Sequence, residues 1–477
     1  MGFSSLLFVY AFLPLSLLVY YICPDRRSKN VALLVFSLIF YAWGEPKYVL
    51  LLMFMALSSW YCALRINDSP YIETARMWLT ISIAVDIALI GFFKYSPLIC
   101  SIFGTVPDFV ARIALPIGIS FYTFQLMTYV VDVYRGDARP QRSYWNVLLY
   151  ASLFHQCVAG PIVRYKTLAD ELFVSRRTGK DFLPGIRRFA VGLAKKAVLA
   201  NACGALADQL LLPTATASDA ALFAQNLASI RSLTVLESWL GAAAYMLQIY
   251  LDFSAYSDMA IGMGWMLGLH YPENFNYPYV SRSVTDFWRR WHMSLSTFFR
   301  DYVYIPLGGN RVSLPRWLLN LFIVWGLTGL WHGAAYNFIF WGLYFGLLLI
   351  LEKFVLKRFL DKLPSFFQHF YAIVLVIFGW GLFKFTDVNL LGEFFSNLFD
   401  FSRGLGSENT INTILSYLPL LAAAFFACTP VAAKVYNRVA ATRFIWVAES
   451  LFCMGVLVLC TASLVRQDYS PFLYFRF

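Results

Sequence analysis

Five histidines occur in the chain, His155, His270, His292, His332 and His369, and two of them sit where an imidazole is chemically conspicuous. His332 is the sixteenth residue of a 35-residue stretch, 317–351, that contains no Asp, Glu, Lys or Arg. An imidazole placed deep in hydrocarbon needs a polar partner or water, because an unpaired polar group there costs roughly 2–7 kcal/mol. A cavity is the natural host. Gly326, Gly329 and Gly333 follow helical spacing beside it, and Gly329 with Gly333 forms a small-xxx-small pair that admits a second backbone or a substrate at close range. Thr328, one turn earlier, and Asn337, later in the stretch, are candidate substrate contacts. Spacing leaves a packing role open beside the chemical one.

His292 belongs to another setting, 283–296, reading SVTDFWRRWHMSLS. Ser283 and Asp286 fit a helix-start box, Asp286 can pair with Arg290 one turn on, and Phe287, Trp291, Leu295 and Phe298 form an apolar stripe. The pattern predicts one helix lying at the membrane surface. Its cationic face, Arg289 and Arg290, suits either a phosphate-bearing donor or anionic lipid headgroups. Asp252 is a candidate orienting partner for a histidine or a substrate contact, whereas Asp258, six residues on, faces elsewhere on a regular helix. Asp86, Lys94 and Glu237 are further polar groups in apolar surroundings. Asp258 and Glu237 read as structural partners between helices, and His155, His270 and His369 as structural histidines.

The elements that must hold these groups are apolar helices. The 477 residues are 60% hydrophobic and only 14% charged, with a mean hydropathy of +0.62, which excludes an ordinary water-soluble enzyme. Long uncharged runs cover 1–24, 31–44, 48–64, 113–131, 144–163, 317–351, 409–433 and 450–465, with interrupted runs near 77–107, 238–272 and 371–383. They predict an all-α, polytopic integral membrane protein with about eleven transmembrane helices plus interfacial and re-entrant pieces. The first run, followed by Arg26, Arg27 and Lys29, reads as a retained helix with an external N-terminus. The net charge of +11 is concentrated in 164–196, with nine basic and three acidic residues, and in 282–316, with six and two. Such clusters do not imply nucleic acid, and the polar segments 164–190 and 271–316 suit helices at the membrane surface forming a lip over a cavity. The eight cysteines show neither metal-ligand spacing nor a disulfide framework. No large soluble segment interrupts the runs, so 1–477 reads as a single membrane domain, motif-rich over 113–352.

Four motifs closely resemble the membrane-bound O-acyltransferase family: LDFSAYSDMAIGMGW at 251–265, PENFNYPY at 272–279, DFWRRWHMSLSTFFRDYVYIPLGGNR at 286–311 and WHGAAYNFIFWG at 331–342. VAGPIVRYK at 158–166 and PFLYFRF at 471–477 extend the likeness along the chain, and the alginate O-acetylation branch is the nearest. The resemblance implies helices ringed around a central funnel or tunnel, with His332 of the WHG motif catalytic and His292 of the RRWH motif a second catalytic candidate. It implies no tightly bound cofactor but an acyl thioester donor, acetyl-CoA or an acyl carrier. It also implies a bacterial inner-membrane location and a secreted or membrane-anchored acyltransferase partner acting on polysaccharide. FHQCVAGPI at 154–162 departs from the pattern, with His155 where Pro is expected and a smaller residue where a larger aliphatic is. Acyl transfer agrees with the chemistry, because a histidine can take the proton of an attacking hydroxyl, a contribution of roughly 100 to 10,000-fold. No Ser or Cys lies in a recognisable nucleophile motif, although Cys157 is a thiol to watch. D-alanyl transfer to teichoic acid is a neighbouring reading. A proton-coupled transporter or flippase using buried His and Asp is the competing class.

Overall fold

A computed structural model describes residues 1–174, 176, 179–212, 220–440, 442 and 445–466. Among these residues every regular element is helical, as the apolar runs predict. Seven helices are long and apolar enough to cross a membrane: Val49–Asn67, Ile72–Ile102, Phe182–Leu211, Tyr336–Leu360, Ser365–Lys384, Glu408–Ala427 and Ile445–Val465. Phe8–Ile22 is a shorter apolar helix. Large side chains such as Ile22, Leu50, Phe103, Phe366 and Val458 point outward, which suits a lipid-facing surface and would be costly in water.

Fewer helices of spanning length occur among the described residues than there are apolar runs, because an uncharged run need not be one helix. The run 144–163 is helical only over Tyr144–Ser152. Beyond it the chain is held by buried side chains: the Tyr150 hydroxyl donates to the Val163 carbonyl at 2.8 Å, and Gln156 Nε2 to the Tyr150 carbonyl at 2.8 Å. These bonds satisfy backbone groups that a helix would otherwise have paired. The first segment predicted to lie at the surface, 164–190, is from residue 182 on part of the long helix Phe182–Leu211.

The residues group into two compact units. The first comprises Met1–Leu193, Tyr256–Glu273 and, of the described residues at the far end, 464–466. Its helix Arg26–Gly44 begins on a capping box in which Asp25 accepts from the Ser28 N–H at 2.9 Å. Phe3, Phe8, Phe12, Phe40 and Phe154 form one packed cluster of rings. Three predicted structural groups find partners here: His155 bonds the Tyr271 hydroxyl, His270 contacts Glu171 at 2.7 Å and Asp181 at 3.3 Å, and Asp258 accepts from Arg188 at 2.7 Å. Cys157 is fully buried, and burial pushes its thiol up to about 12.

The second unit comprises Ala194–Ala255 and Asn274–Ser463. Its centre is a tight hairpin of two helices, Leu314–His332 and Tyr336–Leu351. The uncharged stretch 317–351 is therefore broken, and His332 is the last residue of the first helix rather than a mid-helix residue. The glycines explain how close the two helices come. A Cβ on Gly329 would collide with the Phe338 carbonyl oxygen, one on Gly333 with the Phe338 ring, and one on Gly342 with the Trp325 carbonyl oxygen. Gly326 faces open space. The predicted close approach is thus real, and its partner is the following helix. Glu237 accepts from Thr234 and Thr410, and His369 Nδ1 contacts the Ser281 carbonyl oxygen at 2.9 Å, both structural.

Candidate active site

The second unit holds both conspicuous histidines. The helix expected to run through 284–298 is two helices, Val284–Arg290 and Met293–Phe299, separated by Trp291 in an extended conformation and His292 in the left-handed region at φ 42°, ψ 53°. Tertiary bonds break it. The Met293 N–H donates to the Asn274 carbonyl at 2.9 Å, and the Asn276 N–H to the Arg290 carbonyl at 2.9 Å, so the neighbouring segment takes up groups freed at the break. A left-handed non-glycine residue costs of order 1–3 kcal/mol and persists only where its surroundings over-determine it.

The start of Val284–Arg290 follows the sequence reading, with Ser283 accepting from the Asp286 N–H at 3.0 Å. A residue the sequence did not single out completes the cap. The buried Glu352 carboxylate accepts from the N–H groups of Val284 at 2.6 Å and Thr285 at 2.8 Å, where a helix N-terminus favours negative charge. Phe287, Trp291, Leu295 and Phe298 are all buried. Much of that stripe packs on protein rather than lipid: Phe287 stacks on Phe345 with centroids 6.3 Å apart, and Trp291 lies 4.8 Å from Trp380.

Trp331 brings the histidines together. Its indole lies 5.6 Å from the His292 ring and 4.9 Å from the His332 ring, centroid to centroid. His332 is further enclosed by Trp341 at 4.9 Å and Phe383 at 5.3 Å, both edge-on. The buried Trp341 Nε1 has no hydrogen-bond partner among the described residues, so a polar group is available beside that ring. Phe253 meets the His292 ring edge-on at 4.8 Å.

His292 Nδ1 lies 3.0 Å from Asn274 Oδ1, which also accepts from Ser294 Oγ at 2.8 Å and from the Ser294 N–H at 3.4 Å. His292 Nε2 is buried and has no hydrogen-bond partner among the described residues. The residue lies outside the seven spanning helices, and burial pushes its imidazole down to about 3, so it is neutral at physiological pH.

The remaining candidates divide. Asp252, next to Phe253, forms an ion pair with Lys196 at 2.6 Å, both side chains buried. Asn274, and not Asp252, is the group seen on a ring nitrogen of His292. Arg290 is tied to Asp286 at 2.9 Å, as predicted, while Arg289 is exposed. The Thr328 hydroxyl donates to the Val324 carbonyl at 2.8 Å within its own helix. Asn337 Nδ2 donates to the Leu382 and Phe383 carbonyls at 3.2 Å each, which fixes the backbone of the ring beside His332. Sequence reasoning missed Asn274, Glu352 and Lys196 as individuals. The available signal was a polar residue interrupting an aromatic or apolar run, PENFNYPY for the first and the end of 317–351 for the second.

Comparison with known proteins gives a family to this arrangement. The model of the membrane-bound O-acyltransferase family matches residues 138–394, more than half of the chain, and the match includes both histidines. The chain is 35% identical to a probable alginate O-acetylase AlgI of Pseudomonas putida, over 100% of both chains. It is 30% identical to a peptidoglycan O-acetyltransferase of Helicobacter pylori, over 98% of this chain and 89% of that one. A teichoic acid D-alanyltransferase of Bacillus subtilis is 29% identical over 50% of this chain and 60% of its own. With helices of spanning length along it and relatives matched end to end, this multi-pass membrane protein belongs to the membrane-bound O-acyltransferase family and is an O-acyltransferase.

Proposed function

We propose that the protein moves an acetyl or similar short acyl group from a cytosolic thioester, acetyl-CoA or an acyl carrier, to a hydroxyl of an extracytoplasmic polysaccharide. The route is direct or through a secreted or membrane-anchored acyltransferase partner, and the site of action is the inner membrane of a bacterium. The observation that carries this reading is the Trp331 indole packed against both imidazoles, which gathers the family's two histidine motifs into one place. The names of the full-length relatives, an alginate O-acetylase and a peptidoglycan O-acetyltransferase, favour acetyl and a glycan over D-alanine and teichoic acid. The end-to-end match supports treating 1–477 as one catalytic domain.

In the proposed reaction His332 is the general base. It takes the hydroxyl proton as the oxygen attacks the thioester carbonyl; the C–O bond forms, the C–S bond breaks, and the imidazolium returns its proton to the departing thiolate. Arg289, exposed on the helix where Arg290 is paired with Asp286, takes the donor phosphate in this reading. Thr328 and Asn337 shape the wall around His332, and Asp252 with Lys196 supports the helix that carries Phe253. A covalent intermediate on Cys157 is disfavoured because a thiol pushed up to about 12 is almost wholly protonated at neutral pH.

The test is thiol release from a labelled acyl thioester by the purified protein in detergent. His332→Ala is expected to lower turnover roughly 100 to 10,000-fold while eluting as the same folded species. Undiminished transfer by that variant would remove the base assignment, and pH-driven solute uptake in vesicles without turnover would replace the enzyme with a transporter.

A further inference from the structure

His292 is held in an unusual way for a residue with so little polar company. Its backbone is left-handed, its ring is surrounded by Phe253, Phe275 and Trp331, and its Nδ1 faces one group, Asn274 Oδ1 at 3.0 Å. Which atom of the amide points at the ring is fixed by a neighbour. The Ser294 N–H can only donate, and it meets the same Asn274 atom at 3.4 Å, so that atom is the oxygen. The Ser294 hydroxyl donates to it as well, at 2.8 Å. An amide oxygen only accepts, so the Nδ1 opposite it carries the hydrogen. In a neutral imidazole the other nitrogen is then bare. The backbone enforces the same geometry, since the Met293 N–H is bonded to the Asn274 carbonyl, pinning residues 274 and 293 together.

We propose that Asn274 is a positioning residue for acyl transfer: it locks His292 in the Nδ1–H tautomer, so that Nε2 meets the substrates as a hydrogen-bond acceptor for a neutral O–H or N–H group, not as a cation for phosphate. This rests on the acyltransferase reading above. The shared ligand chemistry is an uncharged hydrogen-bond donor, which both substrates carry: the acceptor alcohol has its hydroxyl, and the pantetheine arm of a thioester donor has amide N–H groups. Leaving a buried acceptor unmatched is costly, so a substrate that supplies the missing hydrogen is favoured over one that cannot. The division of labour follows. Arg289 handles charge, and His292 recognises a neutral group.

The charged groups on the elements packed against His292 are engaged elsewhere. Asp252 is paired with Lys196, Glu237 accepts from Thr234 and Thr410, Asp258 and Glu273 are paired with Arg188, His332 contacts the same Trp331, and Arg289 and Arg290 lie on the preceding helix, the latter on Asp286. None of these is bonded to the His292 ring nitrogens. A carboxylate introduced at position 274 would therefore be the first charge in contact with Nδ1.

The experiment uses the full-length protein in detergent with its histidines labelled by nitrogen-15, read by NMR for tautomer, alongside steady-state kinetics with donor and acceptor varied separately. In the parent the His292 signal is expected to be the Nδ1–H form. Asn274→Leu should mix the tautomers and raise KM about tenfold or more for one substrate: the acceptor if the hydroxyl is recognised, the thioester if the pantetheine arm is. Asn274→Asp should restore the tautomer and most of the activity, and should raise the pH at which the His292 nitrogen-15 signals titrate, as an adjacent carboxylate favours the imidazolium. A parent His292 signal in the Nε2–H form overturns the proposal, and so does a His292 titration unmoved in Asn274→Asp. The second readout needs only the Asp variant, should the Leu variant fail to fold. The tautomer is read without turnover, so a parent that transfers no acyl group but shows Nδ1–H counts against the proposed function and leaves the Asn274–His292 arrangement standing.

Discussion

Around Trp331 the decisive quantities belong to single side chains. Neutral His292 is kept in place by packing and a hydrogen bond to Asn274, and His332 by the rings around it, while the buried ion pair of Lys196 with Asp252 serves a different end. Both of its side chains are buried, and a buried pair is poor evidence of net stabilisation but sensitive to losing one member. Lys196→Met or Asp252→Leu alone should cost about 3–5 kcal/mol, read as a lower thermal midpoint in detergent, whereas the double substitution should recover most of it. A double variant as unstable as the two losses added together would show that the ions do more than neutralise each other. At this scale the sequence exposed the histidines, because uncharged surroundings make them visible. It did not expose Asn274 or Lys196, whose roles depend on residues 18 and 56 positions away in the chain, His292 and Asp252.

The helices carry a different lesson, in which periodicity foretells faces better than breaks. The apolar stripe Phe287, Trp291, Leu295 and Phe298 is buried as its spacing predicts, yet the helix is interrupted between its second and third members. Local pattern cannot report that Asn274 competes for the Met293 N–H. The hairpin shows the converse, since small residues at 329 and 333 announced a close approach that the structure contains. Gly329→Ala should lower stability by about 1–3 kcal/mol or prevent folding, because its Cβ meets the rigid Phe338 backbone. Gly326→Ala, in open space on the same helix, should be neutral or raise stability by about 0.5–1 kcal/mol. Thermal unfolding of the two variants side by side checks the contrast, and equal effects would mean that the hairpin tolerates separation.

Over the whole chain, composition was the strongest guide. A chain with 14% charged residues and outward-facing Ile22, Leu50, Phe103 and Val458 must keep an apolar solvent around it. It should therefore remain in membranes washed at alkaline pH and aggregate when detergent is diluted below its micelle-forming concentration; a monodisperse protein without amphiphile would contradict the membrane assignment. What composition could not give was the partition of apolar runs into helices, because Tyr150 and Gln156 satisfy backbone groups in a way that no hydropathy average registers. The hairpin also bears on how fast such a molecule can work. Gly329 and Gly342 leave its two helices no slack, and three aromatic rings clamp the imidazole at its closed end. A group so anchored cannot swing out of its place, so in the proposed reaction the reactants must be ferried to it.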